Sequence, residues 1–497
     1  MPTDLPFAFT RRRLLQGAAS LAAASLLPGC NSSTSPGTTT PPGNANAQPT
    51  PSGPMTQASL TVTSTVAGSI GPAFAGLSYE KGTLTEPLFT ASNANLIGLF
   101  KRLGPSVLRI GGNSVDRNIW TPTGPGQTSG QIAPSDVDAV AAFVKAVGWQ
   151  VLYGVNLGGA ATGATTPALA AAEVAYAAQQ FGPSLLGIEI GNECDLYGGT
   201  GHYFAGNWSL TQFESLWEQF RAAILASTPT VAITGPADAG SISSWTIPFG
   251  EYATKQQITL LTQHYYRANG QLPTSTAEFL ITPDTNLVHN LLLLQAGAQQ
   301  IGVPYRMAEC NSFYNGGSNG VSDSYASSLW VIDYLFNCAQ GGAAGVNFHG
   351  GGNGSGYTPI ADSNGTVVGA RPEYYGILLF TLAGQGNLLQ TQLSAGGLNA
   401  TAYAVKSSTG GLNLILVNKD SAQNLNVTIH LTQSAHSANL LAMTGPSLTA
   451  TSGVAIQGAS VNPNGSFSPA AAYTLSASGS QLSCYVPALS AVLINIA

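Results

Sequence analysis

A chain of 497 residues, 44% of them hydrophobic, is long enough for two or three domains around a large core. Only 8% of residues are charged, the net charge is -6 and Lys and Arg together number 16. No basic stripe can therefore neutralise phosphates or sulfates, which excludes nucleic acid as a natural partner.

Taken in chain order, the first element is a processing signal over residues 1–30. Arg11 to Arg13 precede an apolar stretch too short to span a bilayer as a mature helix, the pattern of a twin-arginine export signal. It ends at Leu27-Pro28-Gly29-Cys30, which resembles a lipobox whose cysteine takes lipid, with a soluble protein cut nearby as the alternative. The expected location is periplasmic or extracellular, with a lipid on Cys30 as the one link to a membrane. Residues 31–56 are rich in Ser, Thr and Pro and read as a flexible linker. The other cysteines, Cys194, Cys310, Cys338 and Cys484, show no metal-ligand spacing, and export permits a disulfide without requiring one.

Residues 57–72 read as a strand joining a later β-sheet. From 73 to 385 short apolar strands alternate with helical patterns. The expected strands are Ala73 to Tyr79, Ser106 to Ile110, Gln150 to Asn156, Leu185 to Gly191, Val231 to Gly235, Ile258 to Tyr265, Pro304 to Ala308 and Ala344 to Phe348. Between them, "SDVDAVAAFVKAVG" offers Ser135 as an N-cap and sets Val137, Val140 and Val144 on one face. Eight such units predict an α/β fold, a (β/α)8 barrel. Residues 386–497 read as all β and predict an accompanying sandwich.

Function in such a barrel sits at the C-terminal ends of the strands. There "GIEIGNECD" delivers Glu193 from the fourth strand and "RMAECNSFYNGG" delivers Glu309 from the seventh. One strand-end glutamate is more often solvated or ion-paired than catalytic. Two on one face supply what glycosidic cleavage requires: a proton for the leaving oxygen, and a second carboxylate that attacks or activates water. Alternation along the second strand puts Arg109 below Asn113 inside the barrel, where it needs a carboxylate, Glu189 or Glu309. Asn192 and Glu193 are adjacent and would point to opposite faces unless the strand breaks its alternation. Arg306 is expected to face the outer helices, and His264 to be a satisfied core histidine.

The motifs "LRIGGNSVDRNIW", "GIEIGNECD", "TQHYYR", "RMAECNSFYNGG" and "EYYGILLF" occur in an order that resembles glycoside hydrolase family 79, the β-glucuronidases and heparanases. The resemblance implies a retaining double displacement with Glu193 as general acid/base and Glu309 as nucleophile. It further implies that Asn192 bonds the sugar 2-hydroxyl and that Tyr265 donates its hydroxyl to the nucleophile; Arg109, read from the strand alternation, would keep that nucleophile ionised if it faces Glu309. Glu80 and Asn113 would bind glycone hydroxyls. Tyr314 with the backbone of Gly316 and Gly317 would hold the uronate carboxylate, and Tyr357 would complete the pocket. No cofactor or metal is expected, and the partner is a glucuronate-containing oligo- or polysaccharide. Scarcity of Lys and Arg favours exo action, releasing terminal glucuronic acid with or without a 4-O-methyl group. The alternatives are a heparanase-like endo enzyme and a non-catalytic glycan-binding surface protein.

Overall fold

The computed structural model describes residues 46–497 apart from 200–202, 205, 207 and 409. The export and lipobox readings on Arg11 to Arg13 and Cys30 lie outside the described residues. Among these no helix is long and apolar enough to cross a membrane.

Eight parallel strands close into a barrel in chain order: Ala75–Glu80, Val107–Gly111, Gln150–Val155, Leu185–Ile190, Ile233–Asp238, Leu260–Asn269, Tyr305–Tyr314 and Val346–Gly350, the last pairing with the first. The expected (β/α)8 barrel is borne out. Helices cover the outer face while side chains fill the interior, so strands such as Val107–Gly111 are buried throughout and read as apolar runs. The helix expected to open at Ser135 starts at Pro134 instead. Asp136 reaches back to accept the Ala133 N–H at 2.9 Å and the Gln127 N–H at 2.8 Å, so the cap comes from within the first turn.

Three departures from regular strand geometry shape the mouth. The sixth and seventh strands run on past their expected ends and stay paired to Phe313 with Ala268 and Tyr314 with Asn269, forming a ribbon above the barrel. The seventh strand also has a bulge: Met307 pairs with Gln263 and Glu309 with His264, which leaves Ala308 as one extra residue. The fifth strand has another, at Ala237, between the Pro236–Thr262 and Asp238–Gln263 pairs. A bulge reverses the in-out phase of everything beyond it.

Two short ribbons, Ile119–Trp120 with Gln131–Ile132 and Ile360–Ser363 with Thr366–Ala370, sit in barrel loops, and the other strands form one eleven-stranded sheet. Met55–Ile70 lies within it, antiparallel to Gly386–Ser394 and parallel to Asn424–His430. Leu60, Val62, Leu416, Val427, Leu440 and Ile494 share a core separate from that of the barrel. The sheet meets the barrel through the helices Tyr325–Gln340 and Pro372–Ala383. There Phe336 stacks on Tyr403 at 4.2 Å, and Asp333 pairs with Lys419 and accepts from Thr401 and Tyr403. The four cysteines within the described residues are buried and free.

Candidate active site

A cleft of about 930 Å³ opens at the C-terminal mouth of the barrel. The residues lining it include Glu80, Asn113, Asn192, Glu193, Glu309, Tyr314, Gly316 and Tyr357, each named from the sequence. Two lie elsewhere. Gly317 is wedged behind the cleft wall, where a Cβ would strike Ser322 and the Tyr357 backbone N. Tyr265 turns outward and donates its hydroxyl to Asp284 at 2.8 Å.

The fourth strand solves the phase problem at its end. Gly191 takes φ +87° and Glu193, unusually for a glutamate, takes φ +50°, ψ +47°. A single residue in the left-handed region costs about 1 to 2 kcal/mol. The Glu193 N–H holds it there by donating to the Ala237 carbonyl at 2.9 Å, itself displaced by the fifth-strand bulge. Both Asn192 and Glu193 consequently reach the cleft. The glutamate then opens a short turn, Cys194–Leu196.

Beneath them Arg109 is fully buried and reads the constellation in one plane. Its Nε donates to Glu189 at 2.5 Å, Nη1 to Glu309 at 2.7 Å and Nη2 to Asn192 Oδ1 at 2.9 Å. Both carboxylates proposed from sequence as its partner are therefore used. Tyr266, not Tyr265, donates to Glu309 at 2.8 Å. Adjacent residues on a strand face opposite ways, and the inward set here is His264 and Tyr266.

His264 is the main residue that sequence reasoning misplaced. It is no ordinary core histidine, because its Nδ1 lies 3.1 Å from Glu193 Oε1, while its buried Nε2 has no partner. His349, at the end of the eighth strand, was not foreseen at all. Its Nδ1 is 3.0 Å from Ser78 Oγ and 3.7 Å from Glu309, and its Nε2 is 3.6 Å from Glu80. The alternation His264-x-Tyr266 on a strand with polar residues facing inward was the signal available for the first; nothing in "FHGGG" marked the second.

Electrostatics follow from this packing. Burial pushes the Glu309 carboxyl up, but the neighbouring His349, His264 and Arg109 side chains and the Tyr266 hydrogen bond outweigh it and hold Glu309 well below the usual carboxylate range. Burial works in the same direction on Glu80, where His349 and Ser114 overcome it and lower the pKa. Glu80 also accepts the backbone N–H groups of Asn113 and Ser114, at 3.2 and 2.7 Å. His349 is raised above its ordinary value because Glu309 and Glu80 outweigh its burial. Glu193, His264 and Glu309 bring one ligand-type atom each within 4.8 Å of one another. That spacing would admit a metal ion, although Arg109 already supplies positive charge at Glu309.

One wall of the cleft is built from three loops. The Tyr357 N–H donates to the Gly316 carbonyl at 3.3 Å, and the Gly270 N–H to the Tyr314 carbonyl at 3.0 Å. Asn315, Gly316 and Gly317 all have positive φ. A Cβ on Gly356 would fall 1.8 Å from the Gly316 carbonyl, so that approach requires glycine.

No family model matches the chain. Over 309 residues it is 25% identical to a β-glucuronidase of Aspergillus niger, covering 54% of this chain and 55% of that protein. Over 349 residues it is 25% identical to a β-glucuronidase of Neurospora crassa, covering 61% and 60%. The chain thus spans little more than half the length of the curated relatives it matches. In fold it is similar to a 4-O-α-L-rhamnosyl-β-D-glucuronidase of Fusarium oxysporum, with TM-score 0.72, 18% identity and coverage of 88% of this chain and 99% of that one. It is also similar to a family 51 α-L-arabinofuranosidase of Bifidobacterium longum, with TM-score 0.66, 14% identity and coverage of 89% and 100%. The resemblance read from the motifs is borne out by the sequence relatives, and the solved structures share the barrel-and-sheet fold.

Proposed function

We propose that this chain is a glycoside hydrolase of family 79, a retaining β-glucuronidase that removes terminal glucuronic acid from a glycan. The observation that carries the reading is the carboxylate pair: one oxygen of Glu193 and one of Glu309 lie within 4.8 Å. Retaining glycosidases hold their carboxyl groups about 5 to 5.5 Å apart, whereas inverting ones need about 6.5 to 9.5 Å to fit a water.

In the first step Glu309, kept ionised, attacks the anomeric carbon while Glu193 gives its proton to the departing oxygen. The glycosidic bond breaks as the glycosyl-Glu309 ester forms. Water, deprotonated by Glu193, then attacks the same carbon and frees Glu309. Asn192, fixed by Arg109, faces the position of the 2-hydroxyl, and a hydrogen bond there strengthens as positive charge develops on the ring. Tyr266 holds Glu309 in its attacking rotamer.

Uronate recognition is assigned to Tyr314 and the backbone at Gly316. Successive residues with positive φ present N–H groups as an anion-binding concavity without a formal charge. Glu80 and Asn113 would take glycone hydroxyls. Exo action is supported by the wall of loops behind the glycone and by the cleft charge. Arg117 is the one basic residue among the described lining residues, against Glu80, Asp116, Glu193, Asp195 and Glu309. A densely anionic polymer would be repelled from such a cleft.

The deciding assay compares 4-nitrophenyl β-D-glucuronide with the matching glucoside, galactoside and xyloside, and follows the anomer first released by NMR. Turnover of the glucuronide with release of the β-anomer is expected. Release of the α-anomer would mean inversion, and preference for a neutral glycoside would remove the uronate assignment. Tyr314→Phe should lower kcat/KM for the glucuronide about ten- to a hundredfold, as loss of one hydrogen bond to a charged group implies, with a smaller loss on the glucoside. Activity should survive EDTA; restoration by a divalent ion after loss would bring a metal into the Glu193, His264, Glu309 group.

A further inference from the structure

The glycone contacts leave the part of the cleft beside the proposed acid unassigned. Asp195, Leu196, Ala239, Gly240 and Ser241 line it beside Glu193, in the loops after the fourth and fifth strands. We infer that Leu196 and the backbone edge at 239–241 form the aglycone subsite, built for an uncharged, apolar leaving group. The inference deepens the β-glucuronidase reading and rests on it.

Position comes first. A general acid must touch the glycosidic oxygen, so the group that leaves with that oxygen lies against the acid's own loop. Glu193 begins the turn Cys194–Leu196, and Leu196 closes it, 45% exposed into the cleft. Scattered exposed leucines need no explanation. This one is different, because it sits one turn from the proton donor on a rigid support. Glu193 is tied to Ala237, Trp208 Nε1 donates to the Cys194 carbonyl at 2.8 Å, and Asp195 accepts the Ala239 and Gly240 N–H groups at 3.0 and 3.4 Å. The fourth- and fifth-strand loops are thereby pinned to each other as a single shelf.

Charge comes second. The shelf offers a leucine side chain, an alanine, a glycine and a serine, with Asp195 as its one charged group. Arg117, the cleft's one cation among the described lining residues, belongs to the loop after the second strand, on the Asn113 side. An anionic aglycone would meet Asp195 without a counter-charge, whereas an aryl ring or the apolar face of a neutral sugar would cover Leu196.

The test uses three substrates: β-D-glucuronyl fluoride, whose leaving group is too small to reach the shelf, 4-nitrophenyl β-D-glucuronide, and a carboxylated nitrophenyl glucuronide of matched leaving-group acidity. The wild-type chain should prefer the neutral aryl substrate to the carboxylated one by about tenfold or more in kcat/KM, the scale of discrimination a single apolar contact supports. Leu196→Asn should lower the ratio of aryl to fluoride kcat/KM by about five- to tenfold. Leu196→Arg should reverse the preference between the two aryl substrates, a gain that a misfolded variant cannot mimic. Equal rates on both aryl glucuronides, or Leu196 variants that change aryl and fluoride turnover in parallel, would overturn the subsite while leaving the β-glucuronidase reading intact. Failure of the wild-type chain to turn over the fluoride would overturn that reading, and the subsite with it.

Discussion

Arg109 and Arg306 are both buried inside the same barrel, yet their surroundings have almost nothing in common. Arg109, under the mouth, meets Glu189 and Glu309. Arg306, in the lower interior, meets no carboxylate: it donates to Asn347 Oδ1 and to the carbonyls of Ala73, Phe74 and Val346. Burial pushes Arg306 down to about 9, while the two carboxylates overcome the same burial and raise Arg109. The upper interior keeps opposite charges in contact, which holds Glu309 ionised as the role proposed for it requires. The lower interior solvates a lone cation with backbone dipoles and so ties the seventh strand to the first and eighth, across the seam where the barrel closes.

Substitutions should separate the two regions. The largest effect is expected at the reacting carboxylate: Glu309→Gln should cut kcat by on the order of 10⁴-fold or more, with thermal unfolding close to that of the parent. Residual turnover within a hundredfold of the parent would assign the nucleophile elsewhere. Next come the arginines themselves. Arg109→Met leaves Glu309 facing fewer positive charges, so its pKa rises and the acid limb of kcat/KM moves to higher pH; kcat should fall about 10²- to 10³-fold. Arg306→Met orphans backbone carbonyls at the seam and should cost about 2 to 4 kcal/mol of stability in denaturant unfolding. The folded fraction should keep its kcat and pH profile, and a shifted profile would mean that the two layers are coupled through Glu189.

Smaller still is the split between neighbouring tyrosines. Tyr266→Phe removes the hydrogen bond to Glu309 and should lower kcat about ten- to a hundredfold, the range of one charge-assisted hydrogen bond. Tyr265→Phe removes only the bond to Asp284, and a loss beyond about threefold would contradict its outward placement.

These pairs also show what a sequence can and cannot carry. The eight strands and both glutamates were legible because buried parallel strands are continuous apolar runs ending in polar, glycine-containing loops, as at Leu185 to Gly191. Phase was not legible. In an unbroken strand Arg306 and Glu309, three apart, would face opposite ways, which is why Arg306 was expected among the outer helices; the bulge at Ala308 turns both inward. Such a bulge depends on pairing with the neighbouring strand, which local sequence does not reveal. The family resemblance carried the nucleophile-supporting role to Tyr265, and strand phase, which would have pointed to Tyr266, was not legible at that point. The left-handed Glu193 was different. The need for it was visible, since Asn192 and Glu193 could not both serve otherwise, even though its carbonyl partner at Ala237 was not.

A prediction on stability, with no expected change in catalysis, extends the comparison to an acid. Glu373, at the start of the helix after the eighth strand, is fully buried with no cation beside it. Its Oε2 accepts from Asn311 Nδ2 at 3.2 Å and its Oε1 has no partner. Burial therefore pushes its pKa from 4.5 up to about 8, the reverse of what Arg109 and the two histidines do for Glu309. The folded chain holds this proton at neutral pH while the unfolded chain gives it up above about 4.5, so the stability present below pH 4.5 is lost progressively up to about pH 8. The loss amounts to a few kcal/mol at most, since relaxation and water entry blunt such shifts. Glu373→Gln keeps the shape without the titration, so its unfolding free energy should fall less than the parent's between pH 5 and pH 8. Catalysis at pH 6 should change little, because Asn311 and the His349 carbonyl it binds at 2.9 Å stay in place. An identical fall in parent and variant would mean that Glu373 finds a cation or water in solution, and that an unpaired carboxyl is not tolerated even behind the site.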